Sequence, residues 1–272
     1  MKGTLALITR TIKNNRTLLL ANILICALFV WMYAVFFPTM LENAQELQEA
    51  FKSFPKAFLE AFDITDLGYM FANFEGFLAV EHYSIVWPII IIILVLSYGS
   101  AAIAGEVDRG TIEILLAQPI SRVRLFFAKY IAGVVIIAAL VIFSNLSVAV
   151  FSEFYDIGYQ WKSLWMISVL GFLFSLALFS ITMVFSSLLS SRGRVASLMG
   201  GVVIIMYGLD LVSKFKESVE GLKYLSFFHY FDHNAALIDH QIEPLTIAVF
   251  LGVSVVCTLM GLAVFVKRDI AT

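Results

Sequence analysis

Charge is scarce in this chain. Only 14% of its 272 residues are Asp, Glu, Lys or Arg, against about 25% in an ordinary soluble domain. So few charges cannot cover an aqueous surface. Cysteine is scarcer still, with Cys26 and Cys257 both inside apolar runs, where they say nothing about a disulfide framework. Strand-like alternation is missing, so a β-barrel is not expected. Neither H-E-x-x-H nor G-x-S-x-G occurs, and an intramembrane enzyme would need such a polar centre. None of the four histidines falls deep in a predicted span. The predicted cores also hold no acid or base, which an ion-coupled transporter usually keeps within the bilayer. There is no G-x-x-x-x-G-K-[ST] loop, so any nucleotide would be hydrolysed by another chain. The basic residues are scattered among short loops, with no basic, aromatic-rich patch for nucleic acid.

Long apolar blocks are abundant instead: 61% of the residues are hydrophobic. A membrane-spanning helix needs about 20 mostly apolar residues. Six blocks qualify: Leu18–Phe37, Tyr83–Ala104, Tyr130–Phe151, Leu164–Leu189, the shorter Val195–Leu209, and Leu245–Val266. Ser180, Thr182, Ser186 and Ser187 do not disqualify the fourth, because hydroxyls bond back to helix carbonyls. The first block is longer than a signal-peptide core and lacks a small-x-small cleavage site, so it reads as a retained span. Within the spans, Asn22 and Asn145 are expected to bond to neighbouring helices. Gly133, Gly200, Gly201 and Gly261 are candidates for close helix approach, or simply glycines in membrane helices.

Basic residues cluster before the first span (Lys2, Arg10, Lys13, Arg16), between spans two and three (Arg109, Arg122, Arg124, Lys129), between four and five (Arg192, Arg194) and in the tail (Lys267, Arg268). These are 12 of the 18 basic residues, while 16 of the 20 acids fall on the other side. Basic residues favour the cytoplasm, so both termini are expected there. The whole chain, residues 1–272, reads as one membrane domain, with no obvious repeat. Leu5, Ile8 and Ile12 at helical spacing suggest an amphipathic helix on the inner leaflet, or else a disordered basic tail. Leu41, Ala44, Leu47 and Phe51, continued by "PKAFLEAF", suggest short external amphipathic helices. In "HYFDHNAALIDH", His229 and His233 stand four apart with His240 following. That spacing suits zinc, but without a cysteine or fourth ligand an amphipathic helix explains it more simply.

Seven ionisable residues crowd the hinge between spans two and three, "GEVDRGTIEILLAQPISRVRLFFAKY". Ile112, Leu115 and Leu116 share a helical face, with Arg109 and Glu113 four apart on another. Pro119 should end this piece, and Ser121 should N-cap the next helix. A short helix with apolar and charged faces suits docking on a protein partner; an ordinary positive-inside loop is the plainer alternative.

The stretch resembles the hinge of ABC-2-type transporter permeases, which typically read A-G-E-x-x-x-G-T-x-E-x-L-L-x-x-P-[IV]-S-R with a lysine downstream. Gly105, Glu106, Gly110, Thr111, Glu113, Leu115, Leu116, Pro119, Ser121, Arg122 and Lys129 match; Arg109 stands outside the pattern. The resemblance implies an all-α integral membrane fold of the type V exporter kind. It would have six spans, an N-terminal interfacial helix, external helices and a coupling helix at this hinge. It implies a prokaryotic cytoplasmic membrane, pairing with a second copy or a related permease, and docking on a separate cytoplasmic ATPase that binds ATP and magnesium. The chain itself would carry no cofactor and no catalytic residue. Glu106, Arg109, Gly110, Thr111, Glu113, Leu115, Leu116, Pro119 and Arg122 would form the docking hinge. A membrane sensor or scaffold working with an ATPase is the competing reading.

Overall fold

The computed structural model describes residues 2–55, 59, 64, 67–215 and 217–269, and these are helical with short connectors and no strand among them. Six helices are long and apolar enough to cross a membrane: Arg16–Glu42, Phe74–Ala102, Arg122–Phe154, Trp161–Leu188, Arg192–Phe215 and Pro244–Lys267. They are called spans one to six below. Each contains the core of one apolar block, but hydropathy marks only where apolar residues sit. The backbone ladder continues past polar residues whose side chains find partners.

Span one thus runs through Pro38 to Glu42 rather than ending at Phe37. Span two starts at Phe74, so Glu75, Glu81 and His82 lie within it, and span five runs through Asp210. The expectation of spans free of ionisable groups is corrected accordingly. Buried Glu75 accepts a hydrogen bond from the Gln160 backbone N–H at 2.8 Å. Buried Asp210 pairs with Lys214 one turn on, at 3.1 Å. His82 is buried with its ring against Tyr33 and Tyr83. Residues Ala79–Val86 form a wide π-helical stretch, within which the Glu81 carbonyl accepts from Tyr33 Oη at 3.1 Å.

Span four is the centre of the bundle. Its most apolar window is 72% buried, against 22% for spans five and six, and it packs on spans two, three and six. Ser180 and Thr182 bond back to carbonyls one turn earlier, as the sequence suggested, and Ser175 does the same, but Ser186 and Ser187 do not: Ser186 Oγ instead accepts from the backbone at the end of span two. Two small residues let the central helices touch. A Cβ at Gly171 would lie 2.5 Å from the Trp87 ring, and one at Gly133 would lie 2.3 Å from Phe179. Gly261 is in ordinary close contact with Phe126, while Gly201 faces open space. Asn145 joins three spans: its Oδ1 accepts from Tyr83 Oη and its Nδ2 donates to Ser168 Oγ, both at 2.8 Å. Asn22 instead bonds within its own helix, to the Leu18 carbonyl.

Lys2–Asn14 is a separate helix, not a disordered tail, and it packs on span three. The expected stripe of Leu5, Ile8 and Ile12 is split: Ile8 and Ile12 pack against the bundle core, joined by Leu7, while Leu5 is exposed. Beyond span one, Ala44–Lys52 is a short helix whose Leu47 and Phe51 cover Ile64, Met70 and Phe71. The expected continuation "PKAFLEAF" falls largely outside the described residues. The histidines do not share a helix, because helix Phe227–Tyr230 ends before Phe231. His240 takes a left-handed conformation and bonds Ser163 Oγ at 2.9 Å. Among the described residues no group of three His, Cys, Asp or Glu is placed to hold a metal ion.

Candidate functional site: the charged hinge

The hinge is two short helices, Ala104–Asp108 and Ile112–Leu116, rather than one piece. Gly110 separates them with φ +67°, a left-handed conformation that glycine adopts without steric penalty. Arg109 and Glu113 therefore do not share a helix. Upstream, the break from span two occurs at Ile103. The backbone N–H groups of Ile103 and Ala104 donate to Ser186 Oγ of span four, at 3.2 and 3.0 Å. Downstream, Pro119 ends the apolar piece, and Ser121 caps span three by accepting from the Arg124 N–H at 3.3 Å.

Glu106 is the hub. Its carboxylate accepts from Lys129 Nζ at 2.6 Å and from the Thr111 hydroxyl, with the Arg109 guanidinium 3.7 Å away. The Thr111 N–H also donates to the Glu106 carbonyl, at 2.9 Å, which closes the turn around Gly110. Lys129 is only 7% exposed, and its carbonyl accepts from Tyr98 Oη at 2.6 Å. Burial pushes the Glu106 carboxyl up, but the hydrogen bonds from Lys129 and Thr111 and the charges of Lys129 and Arg109 more than offset it. The net effect holds the group below the ordinary carboxylate range. Hub, turn and two spans are thus one braced unit.

The faces of the hinge differ from a simple helical wheel. Ile112 is buried, and Leu115 and Leu116 are half-buried against the bundle core. Ile114 is 67% exposed, beside exposed Glu113, Ala117, Gln118 and Pro119. Arg122 turns away from that surface: its guanidinium donates to the carbonyls of Phe265 and Val266 at 3.3 and 3.4 Å, and to that of Arg268, closing the end of span six. Arg268 in turn donates to the carbonyls of Ser187 and Leu189, at 2.8 and 2.9 Å. Sequence reasoning gave Ser186, Tyr98 and Arg268 no part here, since their roles come from distant partners and leave no local pattern.

These contacts gather the basic clusters at one end of the bundle. The Arg192 backbone N–H reaches Asp108 at 3.3 Å, and Thr11 and Asn15 share a cleft with Glu106. The opposite end is tied by Trp31 to Tyr155 at 3.0 Å and by Ser163 to the Leu237 carbonyl at 2.8 Å. The Glu106 carboxylate is thus occupied by Lys129, Thr111 and Arg109.

Among curated proteins none matches the chain. The family described as ABC-2 family transporter protein matches residues 8–270. With six apolar spans and that match over nearly its whole length, the chain belongs to the ABC-2 family and is a transmembrane permease of an ABC transporter.

Proposed function

We propose that this permease is the transmembrane half of an ATP-driven exporter, paired with a second permease and driven by a separate cytoplasmic ATPase that binds ATP and magnesium. The observation that carries this reading is the exposed Ile114 on a short helix whose base is braced by Glu106 and Lys129. A large apolar side chain held rigidly in the open suits a partner's groove, because little ordering is left to be done on docking. The absence of a phosphate-binding loop from the sequence supports a separate ATPase. Exposed Ile204, Ile205 and Leu259 on spans five and six give apolar faces for lipid or a second copy, with the substrate path between copies.

The gathering of basic residues at the hinge end supports a cytoplasmic hinge and termini. Single cysteines at exposed Ser53 and Lys162 should react with a membrane-impermeant thiol reagent from outside sealed cells, while one at exposed Ala117 should not, with Cys26 and Cys257 removed. Ser163 is unsuited to such labelling, since it is fully buried. Outside labelling at position 117 would reverse the orientation.

The test of function is ATP hydrolysis. The purified permease alone is expected neither to bind nor to hydrolyse ATP, and the complex with its ATPase to hydrolyse it with stimulation by a transported compound. Stoichiometric nucleotide binding by the permease alone would overturn the division of labour.

A further inference from the structure

A polar cleft of ≈ 350 Å³ opens beside the hinge, where span two ends and the N-terminal helix meets span one. Thr11, Ser97, Glu106, Arg109, Lys129 and Arg192 are among its lining residues. Glu106 is already satisfied by Lys129, Thr111 and Arg109. Asp108, nearby, accepts from the Arg192 backbone N–H. The cations are not matched in the same way. Arg109 keeps 54% of its side chain exposed, and the Arg192 guanidinium has one long bond, 3.4 Å to the Ser97 carbonyl. Three cations therefore face one spent carboxylate, and Arg10, Lys13 and Arg16 are exposed on the adjoining N-terminal helix and start of span one. Exposed apolar residues lie farther along spans one and two. Ile93 and Ile89 follow Ser97 along one face of span two, each 50% exposed, and Ile25 follows Leu18 along span one at 44%.

We infer that this cleft holds the phosphate of an anionic phospholipid headgroup, with its acyl chains lying along those exposed isoleucines. Basic pockets between helices at the membrane surface recognise such headgroups, and guanidinium forks match phosphate oxygens two at a time. A lipid held there would join the hinge to the leaflet through Arg109, which also touches Glu106. A free phosphate offers the same oxygens but no use for the apolar strip.

The inference rests on the functional reading only in placing this end at a lipid leaflet, and its test uses no ATPase, so each can fail alone. The full permease in neutral detergent is titrated with dioleoyl phosphatidylglycerol, dioleoyl phosphatidylcholine or inorganic phosphate, and bound lipid is counted by native mass spectrometry. One phosphatidylglycerol should be retained at least about tenfold more tightly than phosphatidylcholine, whose phosphate is the same but whose choline cation would be repelled by Arg109, Lys129 and Arg192. Arg109→Gln with Arg192→Gln should remove that preference, and Arg192→Gln alone, which leaves the Glu106 hub intact, should weaken it roughly threefold. Arg10→Gln with Lys13→Gln, off the cleft, should leave it largely in place. No preference in the wild type, an unchanged preference in Arg192→Gln, or displacement of the lipid by an equal concentration of inorganic phosphate would overturn the assignment.

Discussion

Ile114→Asp is expected to weaken docking of the ATPase about a hundredfold while leaving the permease folded. Removing a buried isoleucine from an interface forfeits about 1.5–3 kcal/mol. A carboxylate left charged in an apolar groove adds a further desolvation penalty of up to several kcal/mol. Since about 1.4 kcal/mol is a factor of ten, a hundredfold loss is a moderate expectation. Folding should survive because Ile114 is 67% exposed in the permease. Leu115→Asp and Leu116→Asp are expected to behave differently. Both leucines already pack on the bundle core, so a charge there should lower the unfolding midpoint as well as docking. The measurement is capture of the ATPase on immobilised permease variants, with detergent melting in parallel. Wild-type capture by Ile114→Asp would mean that the exposed face of the hinge is not the partner surface.

The second large effect concerns the brace. Glu106→Ala leaves the Lys129 ammonium 7% exposed and without its one hydrogen-bonded carboxylate. Breaking a fully buried pair typically costs roughly 3–5 kcal/mol. Glu106 is half-buried, so about 2–3 kcal/mol is expected here, measured by SDS-titration unfolding in mixed micelles. Glu106→Ala with Lys129→Ala should cost less than the sum of the single changes, because the stranded charge is gone. Strict additivity would show that the two residues act independently. The pH dependence has a definite sign. The Glu106 carboxyl is held below its ordinary value of 4.5, so its contribution is fully present above 4.5 and is lost as pH falls through the lower folded value. The wild-type hinge should therefore be indifferent to pH near neutrality and loosen only in acid.

The sequence by itself determined whatever depends on neighbours along the chain. Six apolar runs required six spanning helices, because an unpaired backbone in lipid is too costly for any other form with this pattern. Pro119 and Ser121 marked the end of one helix and the start of the next, since both act within a turn. The dense pattern from Gly105 to Lys129 identified the family. Tertiary structure alone decided which side of the hinge is exposed. Ile112, Leu115 and Leu116 looked like the docking face on a helical wheel, yet the bundle takes that face and presents Ile114. It also decided that Arg122 closes span six, and that Ser186 caps the hinge from span four. Nothing local specifies such partners. Hydropathy failed for a related reason at Glu75, His82 and Asp210. A polar residue looks like the end of a span when read alone. Whether the helix runs on depends on a partner: for Glu75 and His82 these are Gln160 and Tyr33, which only the folded bundle brings alongside, while Asp210 finds Lys214 one turn on once the helix has formed.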